Sequence, residues 1–211
     1  MPQIHLPAHF TRWPRTPLMA LPLLLSGCLS VDTQPAIEPV AQSFETAEYH
    51  AQKGLAIIKA SALYARGGTG QGVSVALVDS GLNADLPAFS GRLGDPGYDY
   101  VTHSPGTFDR LGHGTQMAGI LAANKDDQGM HGVAFNALLI PLRFGDDNEP
   151  FFFDDEIARS WRYAFDKGAR IFNNSWANSI PTTEITESRY NQVMPQSLAM
   201  ARQLVNDGAV F

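Results

Sequence analysis

Two residues have the types and surroundings that acid–base catalysis requires. Asp79 directly follows the apolar run Val73–Val78, and His113 stands between Gly112 and Gly114. A carboxylate can hold an imidazole in one tautomer and stabilise its cation, so that the imidazole takes a proton from a nucleophile and later returns it. Taken separately, Asp79 could simply begin a turn and His113 could cap a helix.

The small residues around His113 favour the catalytic interpretation over capping. Glycine has no side chain, so other groups can approach the imidazole ring closely. Ala118 and Gly119, further along the same segment, would let a helix pack tightly against a sheet. A histidine that only caps a helix needs none of these small neighbours.

Short apolar runs alternate with amphipathic segments along the chain. The pattern predicts strands at Val73–Val78, Ala137–Leu142 and Ala169–Asn173, and helices over 46–66, 113–123, 154–167 and 196–206. This order predicts the α/β class, with a parallel sheet and helices on both of its faces. In such sheets functional residues lie beyond the carboxyl ends of the strands, which is where Asp79 stands.

All four helices have predicted buried faces. Over 46–66 the face comprises Leu55, Ile58, Ala62 and Leu63. Over 113–123 the face comprises Met117, Ile120 and Leu121. Over 154–167 the face comprises Ile157, Trp161, Ala164 and Phe165, and over 196–206 it comprises Leu198, Ala201, Leu204 and Val205.

The segments around Asp79 and His113 resemble the two motifs of the subtilisin-like serine proteases. Val75–Gly81 is similar to the aspartate motif and Gly112–Gly119 to the histidine motif, and they stand in the order Asp, His, Ser that subtilisin exemplifies. The resemblance covers residues 72–211 and implies a subtilisin-like fold and a serine endopeptidase acting on protein or peptide substrates. It implies that Asp79 orients His113, and that His113 is the general base and then the general acid.

A third segment, Phe172–Trp176, is similar to the strand on which these proteases bind the substrate peptide. The similarity implies that Asn174, Ser175 and Trp176 bind substrate. Two positions depart from the family pattern: Gln116 stands where a second histidine is usual, and Ala177 stands where glycine is common.

The family's nucleophile lies in a Gly-Thr-Ser-x-Ala segment, and no serine of this chain has that context. The asparagine of the oxyanion hole is expected after the strand that begins at Ala209. We therefore expect a domain truncated before its end and a chain that is inactive alone. Loss of an oxyanion donor costs roughly 3–4 kcal/mol of transition-state stabilisation, and loss of the nucleophile removes the covalent route. A non-catalytic surface lipoprotein that binds through this scaffold is the alternative, but it does not explain the intact Asp79 and His113.

The first 28 residues predict a lipoprotein signal peptide. Arg12 and Arg15 precede the apolar run Leu18–Leu25, which is too short to span a bilayer. The following segment Ser26–Cys28 resembles a lipobox, which implies cleavage before Cys28 and lipid attachment to its sulfur.

Residues 29–45 contain two prolines and lack periodicity, which predicts a flexible tether between lipid and domain. Residues 46–211 then form the N-terminal part of the peptidase domain. Together with the lipobox, Ala62–Gly67 resembles the autotransporter branch of the family. These features predict an exported lipoprotein of the outer membrane or cell surface, with release from the cell as an alternative.

The composition excludes several classes of protein. The net charge of -6 provides no basic surface for nucleic acid. A single cysteine permits no internal disulfide and no cysteine-based metal cluster. The segment Asp79–Asn83 lacks a glycine-rich phosphate loop, so nucleotide binding is not expected.

Metal binding remains a weaker alternative, and no metal ligand is assigned. The histidines and nearby aspartates match no known ligand spacing; they are His103, His113, His131, Asp126 and Asp127. Paired loop aspartates could instead bind calcium, which many subtilisin-like proteases use; they are Asp126, Asp127, Asp146 and Asp147.

Overall fold

The centre of the fold is a mostly parallel β-sheet. The computed structural model describes residues 37–145, 153–176 and 186–211, all within one unit, Pro35–Phe211. Its strands are β1 (Ser74–Asp79), β2 (Tyr98–Asp99), β3 (Ser104–Pro105), β4 (Leu138–Arg143) and β5 (Ile171–Asn174). They lie in the order β3-β2-β4-β1-β5, with β1 parallel to both β4 and β5. β2 is parallel to β4 and antiparallel to β3.

The helices of the described residues fall into an N-terminal group and a group around the sheet. The first group is α1 (Ile37–Gln42), α2 (Ala47–Ala51), α3 (Lys53–Ile57) and α4 (Ala60–Tyr64). The second is a short 3-10 helix (Pro87–Phe89), α5 (His113–Ala122), α6 (Asp154–Asp166), α7 (Glu187–Val193) and α8 (Pro195–Asn206). Within these ranges, no helix combines the length and apolar character that a membrane crossing would need.

Alternate residues of β1 face two separate cores. Val75 and Leu77 pack in one core with Ala118 of α5. Ala76 and Val78 pack in the other core, which contains Ile157, Trp161 and Ala164 of α6 and Leu204 of α8. The predicted α/β class, a parallel sheet with helices on both faces, is confirmed. The short antiparallel pair of β2 and β3 was not predicted, because two residues per strand are too few to show a period.

The single helix predicted over 46–66 is wrong in detail. The chain is extended at Gln52 and left-handed at Lys59, with a φ of 55°, so three short helices replace one. These breaks change the phase of the buried face: Leu55 is buried as predicted, whereas Ile58 and Leu63 are exposed.

Packed structure begins before residue 46. Helix α1 lies inside the range 29–45 for which composition predicts a tether, and Phe44 packs at 5.5 Å between ring centroids against Tyr64. Residues 1–36, with the predicted signal peptide and Cys28, lie outside the described residues.

Helix α5 approaches the sheet through its smallest residues. Gly114, Ala118 and Ala122 are buried, whereas Ile120 of the predicted apolar face is 46% exposed. A Cβ on Gly114 would collide with the carbonyl oxygen of Gly81. Close contact with β1 therefore requires the small residues, while Met117 and Leu121 of the predicted face are partly buried against the same core. Gly119 has no such role, because its Cβ would meet only the Met130 Cε, at 3.8 Å.

Substitution of alanine for each of the two glycines of α5 should have different effects on stability. We expect Gly114→Ala to lower the free energy of unfolding by about 2 kcal/mol, because backbone must move to admit the methyl group. Gly119→Ala has room and should be neutral or raise it by up to about 1 kcal/mol through helix propensity. Urea denaturation of the purified chain, followed by circular dichroism, measures both. Equal midpoints for Gly114→Ala and the parent chain would contradict the close packing of α5 on β1.

Candidate active site

The structure brings Asp79 and His113 into direct contact. Asp79 is the last residue of β1 and His113 the first of α5, 34 residues later, and Asp79 Oδ1 lies 2.7 Å from His113 Nδ1. The Asp79 side chain is 3% exposed and that of His113 is 50% exposed. A buried carboxylate thus contacts one ring nitrogen, while the imidazole remains accessible from solvent. The capping interpretation of His113 is wrong: the cap is Gly112, and no side chain caps the helix locally.

Backbone contacts hold Asp79 at the end of its strand. Its carbonyl oxygen accepts the Phe144 amide at 2.7 Å, beside the register pair Asp79–Arg143. Its Oδ1 also accepts the Ser80 amide at 2.8 Å. Oδ2 is buried and has no hydrogen-bond partner among the residues that the structure describes. The carboxylate is therefore oriented through Oδ1, the same atom that faces His113.

Asp109, which sequence reasoning missed, organises the loop before His113. Its Oδ1 accepts the Ser80 hydroxyl at 2.8 Å and the amides of Leu111 and Gly112 at 3.1 and 2.8 Å. Its Oδ2 accepts the Thr115 amide at 2.8 Å and the Thr115 hydroxyl at 2.6 Å. Burial by itself would raise the pKa of Asp109, but the hydrogen bonds from Thr115, Gly112 and Ser80 together hold that pKa below its ordinary value. The group is therefore an ionised carboxylate near neutral pH.

Two hydroxyl groups extend this network to the loop after β1. The Ser80 hydroxyl donates to Asp109 and accepts the Gly114 amide at 2.9 Å. The Thr115 hydroxyl accepts the Asn83 amide at 3.0 Å. The residues on both sides of His113 are thereby connected to the residues that follow Asp79. The only sequence signal for Asp109 was its place four residues before His113, and aspartate is too common in loops for that position to single it out.

A buried ion pair lies beside Asp79 at the same edge of the sheet. Arg143, the register partner of Asp79, donates from Nη1 to Asp99 Oδ2 at 2.7 Å. Burial alone would raise the pKa of Asp99, but hydrogen bonds from the Thr102 amide, the Arg143 guanidinium and the Val101 amide lower it. The positive charge of Arg143 is thus compensated by the Asp99 carboxylate on the neighbouring strand β2.

The predicted substrate-binding residues lie at the end of β5, next to the strand that carries Asp79. Asn174 is the register partner of Val78, and its Oδ1 accepts the Trp161 Nε1–H at 3.0 Å. The Ser175 hydroxyl exchanges hydrogen bonds with the Asn173 side chain, at 2.9 and 3.2 Å. Trp176 packs against the core that contains α6. Their role in binding substrate stays a prediction, and Ala177 lies outside the described residues.

The residues considered for metal binding are dispersed. Among residues 37–145, 153–176 and 186–211, no group of three potential ligands is close enough to hold a metal ion. His131 is fully buried, with Nδ1 2.8 Å from the Gly132 carbonyl oxygen. The amides of Asp126 and Asp127 donate to the carboxylate of Glu48. Asp146 and Asp147 lie outside the described residues.

Comparison with known proteins identifies the family. The model of the subtilase family (peptidase S8) matches residues 70–210, which include Asp79 and His113. The chain belongs to the subtilase family. This subtilase is 34% identical over 160 residues to an extracellular serine protease of Serratia marcescens, covering 73% of this chain and 14% of that protein. It is 31% identical over 157 residues to subtilisin BL of Lederbergia lenta, covering 74% and 56%.

Solved structures agree with this assignment. MycP1 from Mycobacterium smegmatis superposes with a TM-score of 0.58 at 25% identity, over 76% of this chain and 42% of that one. The chain thus spans little more than half of subtilisin BL and a small part of the Serratia protease.

The contact between Asp79 and His113 predicts a single tautomer of the imidazole. We expect the proton on Nδ1, where it is donated to Asp79, and a bare Nε2. Long-range proton–nitrogen correlation spectra of the chain labelled with 15N-histidine, at a pH at which the imidazole is neutral, distinguish the tautomers, and His113→Gln assigns the signal.

Asp79→Asn should reverse this preference, because the new amide can donate to Nδ1 and leave the proton on Nε2. An exposed carboxylate, Asp85, provides the control as Asp85→Asn. A parent chain with the proton on Nε2 would contradict the contact between Asp79 Oδ1 and His113 Nδ1.

Proposed function

We propose that this subtilase contributes the aspartate and the histidine of the catalytic triad of an exported serine endopeptidase. The observation that carries the proposal is the 2.7 Å contact between the buried Asp79 carboxylate and the half-exposed His113 imidazole. The two groups lie where the strands of a parallel sheet end, the usual position of a functional site in this class of fold.

In the proposed reaction, His113 Nδ1–H donates a hydrogen bond to Asp79, so that Nε2 is free to act as the base. Nε2 removes the proton of a serine hydroxyl while the serine oxygen attacks the carbonyl carbon of a peptide bond. His113 then protonates the leaving amine, and an acyl-enzyme remains. Water cleaves the acyl-enzyme by the same sequence of proton transfers. The substrate peptide would lie along Asn174–Trp176, adjacent to β1.

We further propose that the nucleophile is not among these 211 residues. No serine has the Gly-Thr-Ser-x-Ala context of the family. The Ser80 hydroxyl is committed to Asp109 and to the Gly114 amide, and the Ser175 hydroxyl bonds to Asn173. The modest coverage of the relatives is compatible with a catalytic domain that is only partly present.

The purified 211-residue chain should therefore not hydrolyse casein. DNA beyond codon 211 should encode a Gly-Thr-Ser-x-Ala segment, in frame or after a frameshift, and a protein that includes this segment should be active. In that longer protein, Asp79→Asn should lower kcat by roughly 10⁴-fold and His113→Ala by roughly 10⁶-fold, as in other serine-protease triads. Asp85→Asn should leave kcat unchanged.

Either of two results would refute part of the proposal. Casein hydrolysis by the 211-residue chain, blocked by a serine-directed inhibitor, would show that a nucleophile is present. Full activity of the His113→Ala variant of the longer protein would show that His113 is not the general base. A longer protein that binds peptides without hydrolysing them would favour the non-catalytic lipoprotein instead.

We also propose that the chain is anchored by lipid on Cys28 at the outer membrane or cell surface, within the autotransporter and lipoprotein branch of the family. The lipobox-like Ser26–Cys28 after a short apolar run supports the anchor. The names of two relatives, both extracellular serine proteases, support export. Several acyl chains give a durable anchor where a single chain would not.

Lipid attachment is testable in a Gram-negative host grown with radioactive palmitate. The parent chain should incorporate label and sediment with membranes, and Cys28→Ser should lose both properties. Ser30→Ala, two residues beyond the proposed lipid-bearing cysteine, should behave as the parent. Label retained by Cys28→Ser would eliminate this anchor.

A further inference from the structure

We infer that Asp109 is a positioning residue of the active site, which holds the His113 imidazole in hydrogen-bonding position beside the Asp79 carboxylate. The inference rests on the proposed function, since it assigns Asp109 to the same acid–base pair. Asp109 acts through its neighbours, with hydrogen bonds to residues on both sides of His113 and to the residue after Asp79.

The hydrogen-bonding partners of Asp109 are all donors. Three hydrogen atoms converge on Oδ1 and two on Oδ2, from three amides and two hydroxyls. Five donors are all satisfied only by a group that accepts hydrogen bonds and donates none, and an ionised carboxylate is such a group. Asparagine has the same shape, but its amino group would face at least one backbone N–H. That N–H cannot turn away as a hydroxyl can, so its hydrogen would be left without an acceptor.

Asp109 also replaces a missing helix cap. Helix α5 begins after Gly112, which has a φ of 84° and no side chain that could accept the first free amides. Asp109 accepts the amides of Gly112 and Thr115 from outside the helix. These two residues lie on either side of His113. A cap supplied by the loop therefore fixes the first helical turn, and with it the backbone position from which the His113 side chain extends.

The same carboxylate reaches the other member of the pair through Ser80. The Ser80 amide donates to Asp79 Oδ1, the atom that contacts His113. The Ser80 hydroxyl must accept from the Gly114 amide, so its own hydrogen points to Asp109. Asp109 therefore fixes the rotation of this hydroxyl, and with it the separation between the turn after β1 and the start of α5.

The test measures the tautomer of His113 in the 211-residue chain, by long-range proton–nitrogen correlation spectra with 15N-histidine. In Asp109→Asn we expect the single Nδ1–H form to give way to a mixture of both tautomers. Thr115→Val, which deletes the 2.6 Å hydroxyl bond to Asp109 together with the acceptor of the Asn83 amide, should give a smaller change in the same direction. Thr115→Ser retains that hydroxyl and should restore the parent spectrum, and Asp85→Asn should match the parent.

A purely structural role would lower the melting temperature without altering the tautomer of His113 in the folded chain. A parent-like single tautomer in folded Asp109→Asn overturns the inference. If Asp109→Asn does not fold, the comparison of Thr115→Val with Thr115→Ser decides, and identical tautomer distributions in those two variants overturn it.

The outcome is separable from that of the proposed function, because the tautomer requires no nucleophile. A longer protein without casein hydrolysis would refute the endopeptidase while a tautomer change in Asp109→Asn would still support Asp109 as a positioning residue.

Discussion

Close approach of two backbone segments is the constraint on which the site depends. Helix α5 contacts the turn after β1 at Gly114, where any Cβ would collide with the Gly81 carbonyl oxygen. Only at this separation can His113, one residue earlier, reach Asp79 with a hydrogen bond of 2.7 Å. The small buried residues Ala118 and Ala122 continue the same contact along the helix. The hydrogen bond between Asp79 and His113 thus depends on the same close packing of α5 on β1.

The edge of the sheet concentrates buried negative charge, and each charge is supported differently. Asp109 accepts five hydrogen bonds from the surrounding loops. Asp99 pairs with the Arg143 guanidinium on the adjacent strand. Asp79 accepts one amide and faces the ring of His113, while its Oδ2 has no partner within the described part of the chain. Burying a charge is costly unless hydrogen bonds or an opposite charge compensate. The carboxylate with the fewest donors is the one that faces a titratable group.

Much of the fold could be predicted from local patterns, and the departures have physical causes. The buried strands β1 and β4 are continuous apolar runs, and α6 has acidic residues in its first turn and a regular apolar face, so both signals are local. The helix over 46–66 was predicted as one piece because periodicity does not register a left-handed residue such as Lys59. On α5, Met117 and Leu121 pack on the core as predicted, but Ile120 is exposed. Hydrophobicity ranks Ile120 above Ala118, whereas the distance to β1 favours the smaller side chain.

By itself, the sequence determined the identities of Asp79 and His113, their order and the small residues around them, because these are properties of short segments. The family follows from the same segments. Only the tertiary structure decided that the two residues touch, that His113 remains half exposed, and that Asp109 connects the loops on which they lie. The reason is physical: hydrogen bonds between residues 34 positions apart depend on how closely a helix packs on a strand, and no local pattern records that distance.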